Sequence, residues 1–313
     1  MNLNKKLFVW IGGKKWLSTK LKSKFETILQ NNKHIKYYAE PFCGSLGSLL
    51  DSIEVLQNNN IKTIYLNDIN KPLINCFNFV KTDPIGLYEA FKEIENDHTC
   101  LIPEWAFSLH KTRDKVQLKS IMESSKNFYN QKRDRFNSIK NSDVLESAAI
   151  FLFLMERSFN GIYRENSSGN FNSPYNWENK KINFDNKRET ILEWSYFFNN
   201  LNVQFSNMSY SHFIDSLDNK KETLFYFDPP YLNDNLQENN YNKDAFGICE
   251  QTKLLEIIDS LDNVVYSNHD ISKIRDFFNS DKWVVETVWR KNIMTAINDN
   301  RSNDIPEILV SSK

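Results

Sequence analysis

The chain is poor in the residues that staple or metallate small proteins. Its four cysteines (Cys43, Cys76, Cys100 and Cys249) show no Cys-x-x-Cys spacing, and its five histidines are scattered. That excludes a disulfide framework and a structural zinc site, and it points to a reducing compartment with no bound metal. Eight glycines and eight prolines in 313 residues exclude collagen-like and low-complexity chains. Charge of one sign is missing too: 39 Lys and Arg against 40 Asp and Glu leave a formal net charge of −1, so the whole chain is no polycation. No apolar run is long enough to span a membrane, and Leu7 to Ile11 is too short for a signal-peptide core. A soluble cytoplasmic protein with no membrane partner is expected. No internal repeat is visible, and the Gly-x-Gly-x-x-Gly fingerprint of a Rossmann dehydrogenase is absent.

What is present is ample for a core: 40% hydrophobic and 14% aromatic residues. The basic residues are clustered. Lys5, Lys6, Lys14, Lys15, Lys20, Lys22 and Lys24 lie near the N-terminus. Lys111, Arg113, Lys115, Lys119, Lys126, Lys132, Arg133, Arg135 and Lys140 form a second zone. Either zone suits phosphates, although a solvated helix face accounts for most single lysines.

The rhythm of the chain is β-α-β-α at both ends. Leu21 to Leu29 has helical spacing, Tyr37 to Ala39 reads as a strand, and Leu49 onwards reads as a helix. Ile61 to Leu66 is a strand, and Lys71 to Val80 a helix with Pro72 in its first turn. From Asp83 to Met155 the pattern changes to long charged amphipathic helices. Two short aromatic stretches flanking Asn166-Ser167-Ser168-Gly169 then read as a β-hairpin. After Asn200, strands are expected at Val203 to Phe205, Leu224 to Phe227, Val264 to Ser267, Trp283 to Val288 and Ile308 to Val310. The expected fold is an α/β sheet built from residues 1–80 and 201–313, with residues 81–200 inserted as a helical and hairpin subdomain.

The most telling segment is Asp228-Pro229-Pro230-Tyr231, at the end of the apolar run Leu224 to Phe227. Prolines cannot continue a ladder, so the strand stops at Asp228, on the edge where open α/β sheets bind ligands. A carboxylate, a rigid prolyl carbonyl and an aromatic ring suit methylation of an exocyclic amine. Such a nitrogen is a poor nucleophile because its lone pair is delocalised into the ring. Asp228 and the Pro229 carbonyl can accept both amino hydrogens and free that lone pair. Tyr231 offers a stacking face worth roughly 1–3 kcal/mol. A strand-ending turn with an exposed tyrosine is the bland alternative. No Pro-Cys dipeptide occurs, so the cysteine that cytosine-C5 methylation requires is not in place.

Gly44 and Gly47 follow one strand and precede a helix, where backbone can approach a ligand. Asp68 ends the next strand, either as a ribose-binding acid or as the N-cap of the following helix. Trp10 to Lys14 is a second glycine turn. Its indole and ammonium suit an aromatic, carboxylate-bearing cofactor or, equally, an exposed basic turn with Trp10 in the core.

Taken in order, these segments resemble the Dam-type, or D12 class, of DNA adenine-N6 methyltransferases. Trp10-Ile11-Gly12-Gly13-Lys14, Glu40-Pro41-Phe42-Cys43-Gly44-Ser45, Asn67-Asp68-Ile69-Asn70 and Asp228 to Tyr231 match its motifs in sequence. Phe159 to Arg164 with Gly169 to Pro174, Ser267 to Asp270, and Arg290, Arg301 and Glu307 to Leu309 also match. The resemblance implies a Rossmann-like class I methyltransferase sheet and S-adenosyl-L-methionine as methyl donor. It implies donor contacts at Trp10, Gly13, Lys14, Glu40, Phe42, Gly44, Asp68 and Asp228. It also implies base flipping in double-stranded DNA, with the hairpin residues Tyr163, Asn166, Ser168 and Asn172 reading bases and Arg133, Arg135 and Arg164 gripping phosphates. Leu46 stands where many relatives carry a second glycine, and Ser167 and Ser168 stand where many carry a basic residue. A cognate restriction endonuclease is a candidate partner, and a monomer or weak dimer is the expected assembly. The competing readings are methylation of RNA or of cytosine N4, and a catalytically silent DNA-binding protein of the same fold.

Overall fold

The computed structural model describes residues 3, 5–10, 13–104, 122–176, 181–231, 246–290 and 304–313. Lys111, Arg113, Lys115 and Lys119 of the second basic zone lie outside them, as do Ile11, Gly12 and Arg301. In chain order the elements begin with α1 (Ser18–Asn31), β1 (Tyr37–Glu40), α2 (Gly47–Asn58), β2 (Thr63–Asn67), α3 (Lys71–Thr82) and α4 (Pro84–Cys100). Helices α5 (Glu123–Ile139), α6 (Leu145–Arg157) and α7 (Phe184–Asn200) follow, then β3 (Val203–Ser206), α8 (Tyr210–Asp215) and β4 (Thr223–Phe227). The chain closes with α9 (Ile248–Asp259), β5 (Val264–His269), α10 (Ser272–Arg275), β6 (Trp283–Arg290) and β7 (Ile305–Ser312). This is the mixed α/β architecture expected from the sequence. No helix of the described residues is long and apolar enough to cross a membrane.

Two compact units are formed. One comprises residues 14–43, 51–69 and 208–313. Its strands stand in the order β2-β1-β4-β5-β7-β6. β1, β2, β4 and β5 are parallel, and β7 runs antiparallel to both β5 and β6. All five residues of β4, Thr-Leu-Phe-Tyr-Phe, are buried, as a strand covered on both faces requires. Period-2 alternation explains the coverage. Tyr226 points to α1, where Phe25 meets it edge-on at 5.8 Å and Tyr38 at 5.5 Å. Phe225 and Phe227 point the other way, into a cluster with Phe213, Leu254, Ile258 and Ile274 from α8, α9 and α10.

The other unit comprises residues 1–13, 44–50 and 70–207. α3 is buried on nearly every face, which gives Phe8 and Phe205 stacking partners on Phe77 at 6.0 and 5.4 Å. α6, Leu-Glu-Ser-Ala-Ala-Ile-Phe-Leu-Phe-Leu-Met-Glu-Arg, is the buried axis. Its last residue, Arg157, is paired in the interior with Glu95 of α4, Nε to Oε2 at 3.0 Å. Beside that pair, His98 Nε2 lies 2.9 Å from the Tyr175 hydroxyl, which donates to Ser125 Oγ at 3.0 Å. Nδ1 of His98 has no hydrogen-bond partner, and burial pulls its pKa down from 6.5 to about 4.

Two expectations need correcting. The helix over Lys71–Thr82 is capped by Asn70, whose Oδ1 accepts from Leu73 N at 3.0 Å, and not by Asp68. The expected aromatic strand at Phe159 is instead a 3-10 turn, Phe159–Gly161, because Asn160 and Gly161 both adopt positive φ, 56° and 62°. The hairpin itself is held by the isolated antiparallel bridges Ser158–Tyr175 and Glu165–Phe171.

Candidate active site at the carboxyl edge of the sheet

Parallel pairing decides what meets Asp228. In the β4–β5 register Phe227 faces Tyr266, so Asp228, the first residue past β4, stands beside Ser267, which is still within β5. Ser267 Oγ donates to Asp228 Oδ1 at 3.0 Å, and the Tyr226 hydroxyl lies 3.0 Å from Ser267 Oγ. Lys14, itself buried, places Nζ 3.0 Å from the same Oδ1 and 4.4 Å from the centre of the Tyr231 ring. The serine bond and the lysine contact to Asp228 thus both fall on one oxygen. Pro229 is buried and Pro230 exposed, with the fixed φ of proline setting the direction of the backbone.

Tyr231 is held from three sides. Lys14 lies over its ring, His269 meets it edge-on at 4.9 Å, and its hydroxyl donates to Glu307 Oε2 at 3.0 Å. Glu307 reaches the site because β7 runs antiparallel to β5 and places it opposite His269. Its other oxygen, Oε1, lies 3.3 Å from Arg290 Nε but accepts no hydrogen bond. Burial pushes the Glu307 carboxyl up, against the pull of Lys14, Tyr231 and Arg290. Burial and the Asp228 charge push the Tyr231 phenol well above its ordinary value, so it remains a donor.

The same edge carries Glu40 and Asp68. Glu40 ends β1 fully buried, and its Oε1 accepts from the Tyr38 hydroxyl at 2.6 Å. Phe42 packs against Tyr210 at 5.4 Å and edge-on against Phe246 at 5.6 Å. Asn67 ties the loops together. Its Nδ2 donates to the carbonyls of Pro41 and Met208, both at 3.0 Å, and its Oδ1 accepts from Met208 N at 3.1 Å. Its backbone carbonyl takes Cys43 N at 2.9 Å. Asp68, half-buried, follows directly. Ser267 and Glu307 were legible only as motif members without a role, and Asn67 only as the neighbour of Asp68. The signal for Ser267 is its offset from Asp228 once β4 and β5 are paired in register.

The remaining expected donor residues, Trp10, Gly13 and Gly44, belong to the other unit. Gly44 has φ +46°, and a side chain there would meet Trp10 Nε1 at 3.6 Å. Leu46, in place of a glycine, also has positive φ, 64°, while fully buried. Trp10 is half-buried and stacks on Tyr163 at 5.8 Å with an interplanar angle of 26°. The Tyr163 hydroxyl donates to Glu165 at 2.7 Å.

The hairpin holds itself in shape. Arg164 Nε donates to Asn172 Oδ1 at 2.8 Å and its Nη2 to the Asn172 carbonyl at 3.1 Å. Asn166 Oδ1 accepts from Ser168 N and Asn170 N, both at 3.0 Å, around Gly169 at φ 72°. Lys140, the C-cap of α5, bonds Glu165 and the Gly169 carbonyl. Ser167 and Ser168 are exposed at the tip. Arg133 and Arg135 lie on α5. Arg135 is engaged bidentately by Glu146, at 2.8 and 2.6 Å, and among the described residues Arg133 makes loose contacts of 3.4 and 3.5 Å with Asp134. Among the described residues no cluster of three or more His, Cys, Asp or Glu side chains is placed to hold a metal.

An oriented carboxylate followed by a rigid prolyl turn and a fixed aromatic ring is equipped to hold a flat, amine-bearing ring. Comparison with known proteins agrees. The model of the D12 class N6 adenine-specific DNA methyltransferases matches residues 10–293. The Type II methyltransferase M.MjaIII of Methanocaldococcus jannaschii is 29% identical over 312 residues, covering 96% of each chain. The DNA adenine methylase of Haemophilus influenzae is 27% identical over 88% of this chain and 82% of its own. That of Escherichia coli K12 is 27% identical over 93% and 90%. The chain belongs to the D12 class of N6 adenine-specific DNA methyltransferases.

Proposed function

We propose that the protein takes the methyl group from S-adenosyl-L-methionine and places it on N6 of an adenine flipped out of double-stranded DNA. The observation that carries this reading is the asymmetry of Asp228. Ser267 and Lys14 both engage Oδ1, which leaves Oδ2 for the target amine. Beside it, the Pro229 carbonyl is the second acceptor. With both amino hydrogens bonded, the nitrogen lone pair is drawn out of the ring and becomes nucleophilic. Tyr231 supplies the stacking face that offsets part of the cost of unstacking, a few kcal/mol. The amine attacks directly, so no covalent enzyme intermediate is required.

The residues at the sheet edge suit that donor. Asp68 and Glu40 are acids at strand ends where a ribose diol would bind, Phe42 adds an apolar wall, and Asp228 and Lys14 bring charges of both signs. When bound, the donor supplies an activated methyl group on a sulfonium. The chain's own residues orient the amine, exclude water around Pro229, and hold the Asp228 carboxylate in one rotamer.

We further propose that residues 81–200 recognise the target, with the hairpin of Tyr163, Arg164, Asn166, Ser168 and Asn172 reading base edges. A two-stranded ribbon fits the major groove, and the exposed tip supports this assignment. Arg133 is the better phosphate contact, because Arg135 is already paired with Glu146. A type II partner endonuclease remains a proposal that rests on the names of relatives such as M.MjaIII.

The experiment is transfer of labelled methyl from S-adenosylmethionine to unmethylated duplex DNA, with single-molecule sequencing of the product. N6-methyladenine at one short motif supports the reading. Donor binding with transfer only to RNA, or with no transfer at all, overturns it.

A further inference from the structure

We infer that Glu307 is a positioning residue for the reaction: its buried carboxylate sets the plane of Tyr231 and so the face on which the target base stacks. The inference rests on the assignment of Tyr231 as the stacking ring, and it adds a residue from a different strand, 76 positions away in sequence.

Three observations point to it. A fully buried glutamate inside a strand is costly unless it is bonded, and among the described residues the Tyr231 hydroxyl is the side-chain donor to it, at 3.0 Å. The ring is therefore fixed at its far end by Glu307, while Lys14 and His269 fix its face and edge. Without the hydroxyl anchor, only the Lys14 and His269 contacts hold the ring against its other rotamers. Second, among the described residues Glu307 Oε1 accepts no hydrogen bond although it is buried, and it meets Arg290 Nε at 3.3 Å. The direct hydrogen bond of the carboxylate is thus spent on Tyr231, on the other oxygen. Third, the register is specific. Glu307 pairs with His269 on one side and Val288 on the other, so the carboxylate and the imidazole that touch Tyr231 come from neighbouring strands at one level of the sheet. The raised Glu307 carboxyl agrees with this burial.

The test is a double-mutant cycle of Glu307 and Tyr231 read by three measurements: kcat, KM for duplex DNA, and the fluorescence of 2-aminopurine at the target position, which rises when that base leaves the stack. Glu307→Leu removes the acceptor and Glu307→Gln keeps one. Tyr231→Phe removes the donor and keeps the ring, whereas Tyr231→Ala removes the ring. A hydrogen bond to a charged acceptor corresponds to roughly tenfold or more in rate. Tyr231→Phe and Glu307→Leu are each expected to lower kcat about tenfold. The Tyr231→Phe/Glu307→Leu double variant should be no slower than either single, and Glu307→Gln should stay within about threefold of the parent.

If Glu307→Leu lowers kcat by the same factor in the Tyr231→Phe background as in the parent, Glu307 acts elsewhere and the inference fails. Should Glu307→Leu not fold, Tyr231→Phe with unchanged kcat and unchanged fluorescence overturns it alone. Failure of the stacking assignment is separate: there Tyr231→Ala leaves the 2-aminopurine signal and KM intact.

Discussion

Ser267 Oγ and Lys14 Nζ converge on a single oxygen of Asp228, each at 3.0 Å. The two neighbours come from within β5 and from the turn before α1. Their convergence makes the carboxylate a one-sided acceptor, and Ser267→Ala tests it. Alanine removes the Oγ that the buried Tyr226 hydroxyl also meets, so stability should fall by about 1–3 kcal/mol while kcat falls about tenfold from a loosened Asp228 rotamer. Unchanged kcat in a folded Ser267→Ala variant would show that Lys14 alone suffices.

Asp228→Ala should lower methyl transfer by at least about a thousandfold, the scale of losing a preorganised electrostatic group. DNA affinity in a gel-shift or anisotropy assay should stay within about threefold. Retained transfer would remove Asp228 from the reaction.

Ser168→Arg places a guanidinium at the exposed hairpin tip. Arginine is the commonest bidentate partner of guanine, with a discrimination of roughly 1–3 kcal/mol per good contact. The methylated motif, read by sequencing, should gain a guanine preference at one position. An unaltered motif profile would count against the hairpin as reader.

Leu46→Gly separates strain from packing. Leu46 has φ 64° and is fully buried. Glycine would relieve about 1–2 kcal/mol of left-handed strain and forfeit about 2–5 kcal/mol of buried side chain and cavity. Packing wins, so chemical denaturation should show a net loss of about 1–3 kcal/mol. A stabilised Leu46→Gly variant would mean that this pocket collapses around the missing side chain.

His98 makes stability depend on pH. Its pKa is depressed by burial from 6.5 to about 4. The unfolded chain therefore binds a proton that the folded chain refuses, and this contribution is complete above pH 6.5. It is lost progressively as pH falls towards 4, to a total of about 3 kcal/mol. Thermal melts between pH 7 and 4 should show the decline, and His98→Gln should flatten that part of the curve. An identical pH profile in the variant would place the acid sensitivity in other groups.

The strands near the site were legible because their chemistry is local. Leu224 to Phe227 is a continuous apolar run, and Pro229 and Pro230 mark where β4 must stop. β7 was harder. It runs from Ile305, yet Pro306 and Glu307 look like loop residues, and only pairing with β5 and β6 shows that they belong to a ladder. The same applies to Glu307 as a partner of Tyr231, since nothing local relates residues 231 and 307. Asp68 and Asn70 are both good caps by composition. Geometry chose Asn70, whose Oδ1 takes the Leu73 amide.

The tip of the hairpin has a consequence for how such a protein can diversify. Asn166 consumes the backbone donors of Ser168 and Asn170, and Lys140 and Asn137 brace the flanks. The frame is self-supporting without the side chains of Ser167 and Ser168. Those two positions are interchangeable type in a fixed printing block: new residues can be set there without recasting the block, so a change of target need not endanger the fold.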